Sequence, residues 1–284
     1  MYINSLKNIS FKKINSAFQL AFADYEVHWN SDELKAMLSR RGFDPELSFA
    51  VFEGEDIVSF ILNGTGYFNN QKTVYDTGTG TVKEYRGKGF VSEILEYSLP
   101  WLKKRNIRQY LLEVLQHNHK AISIYKNFGF EITREFNFFR QAVKNINNKV
   151  HYRKLPVQLI KVDLNPILSA TNFWDFHPSW QNSFEAIERQ ESNFNITGAF
   201  IEQTLIGYSV SDPHSGDLMQ IAVDKNHRRQ GVGSSLLNEF LKYNHHNTVK
   251  IINADSDCLS MTKFLESKNI NISGKQFEMM KKLN

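Results

Sequence analysis

At 284 residues the chain suggests about two domains of ordinary size, long enough to bury a substantial core, which excludes a peptide or a disulfide-stapled miniprotein. Hydrophobic residues at 41%, charged residues at 23% and aromatics at 13% are the mixture of a folded globular protein and exclude a disordered chain. The net charge of +4 is spread along the sequence, which argues against a nucleic-acid partner.

In chain order, a short strand and helical material lead to a hairpin predicted at Leu47 to Phe52 and Ile57 to Leu62. A long strand near Thr73 to Val82 and a helix from Gly89 to Lys104 follow. Pro100 falls inside that helix and removes a backbone donor, so a kink or a shortened helix is expected there. Next come a strand at Arg108 to Val114, a helix at Asn118 to Phe128, and strands around Phe130 to Phe139 and Val150 to Leu155.

The same order then recurs. A hairpin around Ala199 to Val210, a long strand up to Val223, a turn and helix at Arg228 to Lys242 and a closing strand near Lys281 repeat the first set. A shift of 142 residues lays Val223–Leu241 on Thr81–Leu99, with identities at Lys83/Lys225, Arg86/Arg228, Gly89/Gly231, Ser92/Ser234, Leu95/Leu237 and Leu99/Leu241. The expected organisation is therefore mixed α/β, a largely antiparallel sheet with flanking helices in two tandem modules, 1–156 and 157–284. The join at Lys154-Leu155-Pro156-Val157 leaves room for only a short linker.

The strongest local signal is Arg228-Arg229-Gln230-Gly231-Val232-Gly233, which follows an apolar strand and opens an amphipathic helix. Such a turn binds anions. The helix N-terminus has unpaired N–H groups and partial positive charge, Gly231 and Gly233 clear space for a phosphate, and Arg228 and Arg229 are expected to add mobile positive charge at the rim. The first copy carries Arg86-Gly87-Lys88-Gly89-Phe90-Val91, with Val91 at the final glycine position. In it, Asn118 and Tyr125 are seven residues apart and share one helix face. A helix N-cap at Asn118, a core aromatic at Tyr125 and an ordinary C-cap at Gly129-Phe130 are the structural alternatives.

At these residues the sequence resembles the GCN5-related N-acetyltransferase superfamily, whose signature is Arg or Gln, two residues, Gly, one residue, then Gly or Ala. The resemblance implies two tandem modules of that fold and transfer of an acetyl group from acetyl-coenzyme A to a primary amine by direct attack in a ternary complex. It implies that the loops hold the pyrophosphate, through Arg86 to Val91 with the strand end Thr81-Val82, and through Arg228 to Gly233 with Val223. It further implies that Tyr125 protonates the departing thiolate and that Asn118 orders the pantetheine arm or the tyrosine. Asp76 and Glu113 are candidate general bases for the amine, with structural carboxylates as the alternative. Asp24, Tyr25, Glu26 and His28 would lie on the acceptor side, where an exposed loop explains them equally well.

The second copy departs from the pattern beyond its loop: Cys258 falls opposite Asn118 and Leu265 opposite Tyr125, while Lys268-Asn269 stands at the helix-ending glycine, where Asn tolerates a left-handed conformation. It is read either as a degenerate copy or as a second coenzyme A site. A non-enzymatic acyl-coenzyme A sensing or interaction module is the rival to an enzyme. Trp174, Phe176, Pro178 and Trp180 are expected to form a core or domain-contact patch rather than a substrate pocket. His117, His119, His245 and His246 lack ligand spacing, so no metal is expected.

The single cysteine, Cys258, precludes an internal disulfide and fits a reducing compartment. The first residues carry Lys7, Lys12 and Lys13 without an apolar run, and no stretch approaches the ~18 apolar residues of a membrane span, so a cytoplasmic, unanchored protein is expected. The acceptor, a small-molecule or peptide amine, and the oligomeric state are not specified by the residues.

Overall fold

A computed structural model describes residues 1–25, 29–149 and 156–283. The chain divides into two compact units, Met1–Thr133 with Phe277–Asn284, and Arg134–Gln276. These units differ from the repeat boundary at 156/157: by contact, most of the strand after Gly129 belongs with the second unit, and the chain's final segment belongs with the first. Among the described residues no helix is long and apolar enough to cross a membrane.

The first unit runs β1 (Tyr2–Ser5), α1 (Phe11–Ala21), α2 (Ser31–Arg40), β2 (Phe49–Glu53), β3 (Asp56–Phe68), β4 (Gln71–Thr81), α3 (Phe90–Lys104), β5 (Gln109–Leu115) and α4 (His119–Asn127). Helix α1 starts where Ser10 accepts from the Lys13 N–H, and its Ile14, Ala17, Phe18 and Ala21 form the buried face. A capping box between Asn30 and Glu33 starts α2. Helix α3 continues through Pro100 to Lys104, so the proline does not shorten it. Strands β1 to β4 pair antiparallel in sequence order, and β4 pairs parallel with β5. The strand β6 (Glu131–Ala142) begins here, while the expected strand at Val150 to Leu155 lies outside the described residues, as do Glu26 and His28.

The second unit continues with β7 (Val157–Lys161), the short α5 (Asn165–Leu168) and α6 (Phe184–Glu188), β8 (Asn195–Ile201), β9 (Thr204–Asp212), β10 (Asp217–Val223), α7 (Val232–Tyr243), β11 (Thr248–Asp255), α8 (Leu259–Ser267) and β12 (Ile272–Lys282). Strands β7 to β10 pair antiparallel in order, β11 pairs antiparallel with β6, and β10 and β11 are parallel. Asn269, with φ at 60°, ends α8 as Gly129, with φ at 78°, ends α4.

Residues 277–283 return to complete the first unit. There Leu283 donates its N–H to the Arg108 carbonyl at 2.8 Å, and Thr133 Oγ1 bonds Glu278 Oε1 at 2.7 Å. Met279 and Leu283 are fully enclosed in the apolar cluster that also contains Tyr110, Leu112, Tyr125 and Phe130.

Candidate active site

In the first unit, β4 and β5 are paired only at Thr73/Gln109, Val74/Tyr110 and Tyr75/Leu111. Beyond Tyr75 the two strands part, and the next residue on β4 is Asp76. Its Oδ1 accepts from the Gly78 N–H at 2.9 Å, and its Oδ2 accepts from Thr79 Oγ1 at 2.6 Å and from Tyr125 Oη at 3.0 Å. The two site candidates thus meet, 49 residues apart in sequence. Desolvation raises the Asp76 pKa despite those three hydrogen bonds and the charge of Arg41, which act in the opposite direction. Burial, and then the neighbouring Asp76 charge, push the Tyr125 phenol well above its ordinary value.

Tyr125 is also the core aromatic of the structural alternative, lying edge-on to Phe130 with centroids 5.5 Å apart. Asn118 caps α4, its Oδ1 accepting from the Ala121 N–H at 3.2 Å, and so fixes the start of the helix that carries Tyr125. Glu113 is not part of the Asp76 cluster; its Oε2 accepts from Tyr75 Oη at 3.0 Å.

Both glycine turns have the geometry their sequences require. Gly89 and Gly231 cap their helices at φ of 86° and 91° in the left-handed region, with Gly87 at 80° and Arg229 at 60° two residues earlier. A Cβ built on Gly87 or Gly89 meets nothing within 4 Å, so the turn of the first unit is an open cradle facing the unpaired N–H groups of α3, which suits a phosphate group. Val91, in the first turn of α3, keeps helical geometry. Lys88 lies over the Tyr85 ring, its Nζ 4.7 Å from the centroid.

For Arg228 the structure corrects the expectation of mobile rim charge, and Arg86 of the first turn is held in the same way, whereas Arg229 stays exposed at the rim. Arg86 donates from Nε to the Thr81 carbonyl at 3.1 Å and from Nη2 to the Ala21 carbonyl at 2.8 Å, with Nη1 3.4 Å from Asp24. Arg228 repeats the pattern with the Val223 carbonyl at 3.0 Å, the Phe173 carbonyl at 2.9 Å and both oxygens of Asp175 at 2.9 and 3.0 Å. Each arginine is a strut tying its turn to the strand end and to the segment that precedes the hairpin. Burial pushes the Asp175 carboxyl up, but hydrogen bonds from Ser260 and Arg228 and the charges of Arg228 and Lys225 outweigh it and hold its pKa low.

In the second unit β10 and β11 are paired at Asp217/Lys250 alone, and between them opens a cavity of about 610 Å³ that reaches Arg229 and Gly231 to Ser234 of the turn. Gln230, beside them, donates from Nε2 to the Asn226 carbonyl. Trp174, Phe176 and Pro178 line this cavity, so three members of the aromatic cluster face it, whereas Trp180 is buried in the core. Cys258, in the cavity wall, precedes α8 without capping it through its side chain, and Leu265 is fully buried. Sequence reasoning missed the polar residues of this wall. Trp174 Nε1 donates to Tyr208 Oη at 2.5 Å, Tyr208 donates to Gln220 Oε1 at 2.6 Å, and Gln220 Nε2 donates to the Asn182 carbonyl at 2.5 Å.

The sequence matches the Acetyltransferase (GNAT) family twice, at residues 14–130 and 161–257. It is 28% identical over 87 residues to N-alpha-acetyltransferase 30 of Schizosaccharomyces pombe, a stretch that covers 30% of this chain and 58% of that protein. Among solved structures, a tandem GNAT protein from the clavulanic acid biosynthesis pathway superposes with a TM-score of 0.74 at 11% identity, covering 100% of this chain and 98% of the other. A GCN5-related N-acetyltransferase from Sphaerobacter thermophilus superposes with a TM-score of 0.73 at 10% identity, covering 100% and 96%. At those identities the likeness is one of fold. Two family matches, two glycine turns and two parted strand pairs agree: the chain is a tandem member of the GNAT acetyltransferase family.

Proposed function

We propose that the chain is an N-acetyltransferase that moves an acetyl group from acetyl-coenzyme A to a primary amine, with the chemistry in the first unit. The observation that carries this reading is the 3.0 Å hydrogen bond from Tyr125 Oη to Asp76 Oδ2, where β4 and β5 part. The substrate thioester supplies an activated acyl group. The open turn from Arg86 to Val91, with the strand end Thr81-Val82, holds its pyrophosphate.

The hydrogen bond closes the proton balance of direct attack. Asp76, ionised, takes the proton that the amine nitrogen loses as the C–N bond forms. Tyr125 gives its proton to the sulfur as the C–S bond breaks, and the tyrosinate recovers one from Asp76 across the same contact. One proton passes from nitrogen to sulfur and both side chains return to their starting states. Asn118 is the positioning residue that fixes the helix of Tyr125, and Glu113, engaged by Tyr75, takes no part.

A second reading, a non-enzymatic acyl-coenzyme A module, is favoured for the second unit, where Cys258 and Leu265 replace Asn118 and Tyr125 while the turn and its cavity remain. The test is thiol release from acetyl-coenzyme A with a panel of primary amines, using wild type, Tyr125→Phe and Asp76→Asn. Turnover that falls in both variants supports the assignment; full turnover in either one removes that residue's role, and no turnover with any amine sinks the enzyme reading.

A further inference from the structure

The two faces of the first unit's sheet divide the reactants. Helices α3 and α4 pack on the face that carries Val74, Tyr110, Leu112 and Val114, and α1 and α2 pack on the face that carries Ala50, Phe60 and Leu62. A donor whose pyrophosphate sits on the turn that opens α3 comes from the α3/α4 face. The amine then reaches the gap between β4 and β5 from the opposite face, on which α2 ends.

A positioned positive charge meets it there. Arg41 is the C-cap of α2, and its backbone is pressed against β3. A Cβ on Gly64 would stand 2.0 Å from the Arg41 carbonyl oxygen, so this approach requires glycine. The residues that follow are tied to the same strand, Thr65 N–H to the Gly42 carbonyl at 2.9 Å and Asp44 N–H to the Asn63 carbonyl at 2.7 Å. A β-bulge aims the side chain. Leu62 pairs with Gly78 and Asn63 with Asp76, which leaves Thr77 as the extra residue of β4. Arg41 Nη1 donates to the carbonyl of that residue at 2.8 Å, so the guanidinium is anchored one position along the strand from Asp76. Arg41 is half-buried, and its charge acts on the Asp76 carboxyl.

This charge selects among amines. Asp24, expected to suit a cationic acceptor, is engaged by Lys83 at 3.3 Å and Arg86 at 3.4 Å, and Glu113 accepts from Tyr75. A simple alkylammonium would approach Asp76 against the repulsion of Arg41. An amino acid brings both signs, an amine for Asp76 and a carboxylate for the planar guanidinium fork. Consecutive strand residues are ~3.3 Å apart, so a few bonds between the two groups suffice.

We propose that Arg41 is a specificity-determining residue of the first unit and that the acceptor is a short amino acid, its carboxylate held by the Arg41 guanidinium while its amine faces Asp76. The inference rests on the proposed function and deepens it by naming the acceptor class.

The test is thiol release from acetyl-coenzyme A with glycine, β-alanine and 4-aminobutyrate, each beside the amine that lacks its carboxylate: methylamine, ethylamine and propylamine. Wild type, Arg41→Gln and Arg41→Lys are compared, with melting curves to confirm folding. Calorimetry of the same compounds into protein saturated with coenzyme A reads binding without transfer. The expected result is that at least one amino acid exceeds its partner amine about tenfold in kcat/KM, and that Arg41→Gln removes most of that ratio through KM. Arg41→Lys, which keeps the charge without the fork, should retain part of it. A purely structural Arg41 would lower turnover of both classes alike, and an unchanged ratio in Arg41→Gln overturns the inference. Transfer by wild type to amines with no preference for the carboxylate overturns this inference alone. Binding of an amino acid that depends on Arg41, with no thiol release, overturns the proposed function alone, and neither binding nor transfer overturns both.

Discussion

Asp76 and Tyr125 are each visible in the sequence as candidates, but their contact is not, because it depends on how far β4 and β5 stay paired before they part. Tyr125→Phe should lower kcat about 100-fold with acetyl-coenzyme A affinity retained, measured by thiol release and calorimetry. Asp76 titrates above its ordinary 3.8 in the fold, so between that value and its raised native one the native state binds more protons than the unfolded state. Stability contributed by this group therefore falls as pH rises through that window, and Asp76→Asn should flatten the decline in urea melts across it. The same variant should remove the acid limb of the rate profile, because the base must be ionised to act. The arginines teach a different lesson: a charge beside a glycine turn reads as a ligand contact, and only the fold reveals carbonyls within reach. Arg228→Ala should destabilise the second unit by about 2 kcal/mol, seen in denaturant melts, since it removes hydrogen bonds to two carbonyls and both oxygens of Asp175.

At the scale of elements, the sequence was most legible where local chemistry decides. The strand, glycine turn and helix at both copies follow from period-two runs and from glycines at left-handed positions, and the structure places them as expected. The two glycines of the second turn should behave differently. Gly231→Ala puts a side chain at φ of 91° and should cost about 1–2 kcal/mol, whereas a Cβ on Gly233 meets Phe264 at an ordinary 3.5 Å, so Gly233→Ala should melt within about 0.5 kcal/mol of wild type. Calorimetric melting of the two variants makes the comparison. Aromatics were harder to read, since Trp174 and Trp180 have the same character in sequence and only packing sends one to a cavity and the other to the core.

For the whole molecule, the two repeats are plain in the sequence, yet the compact units do not coincide with them. Strand membership of residues 134–142 and 277–283 is set by pairings between distant segments, which no local pattern encodes. Ending the chain at Gln276 should therefore unfold the first unit rather than the second, because it removes the buried Met279 and Leu283, each worth about 2–5 kcal/mol in a fold whose total is about 5–15 kcal/mol. Hydrogen exchange resolved by peptide would show protection lost in residues 1–133 and kept in 134–276. The return of residues 277–283 also sets a timetable during translation. The second unit's residues are all made before the first unit has its last, so the usual N-terminal-first order is reversed. At about 5–20 residues per second, the first unit waits for roughly 7–30 s with its core unsealed, an interval in which a chaperone, rather than a neighbouring strand, is its natural cover. Pulse-labelled nascent chains should gain protease resistance in residues 134–276 before they gain it in 1–133.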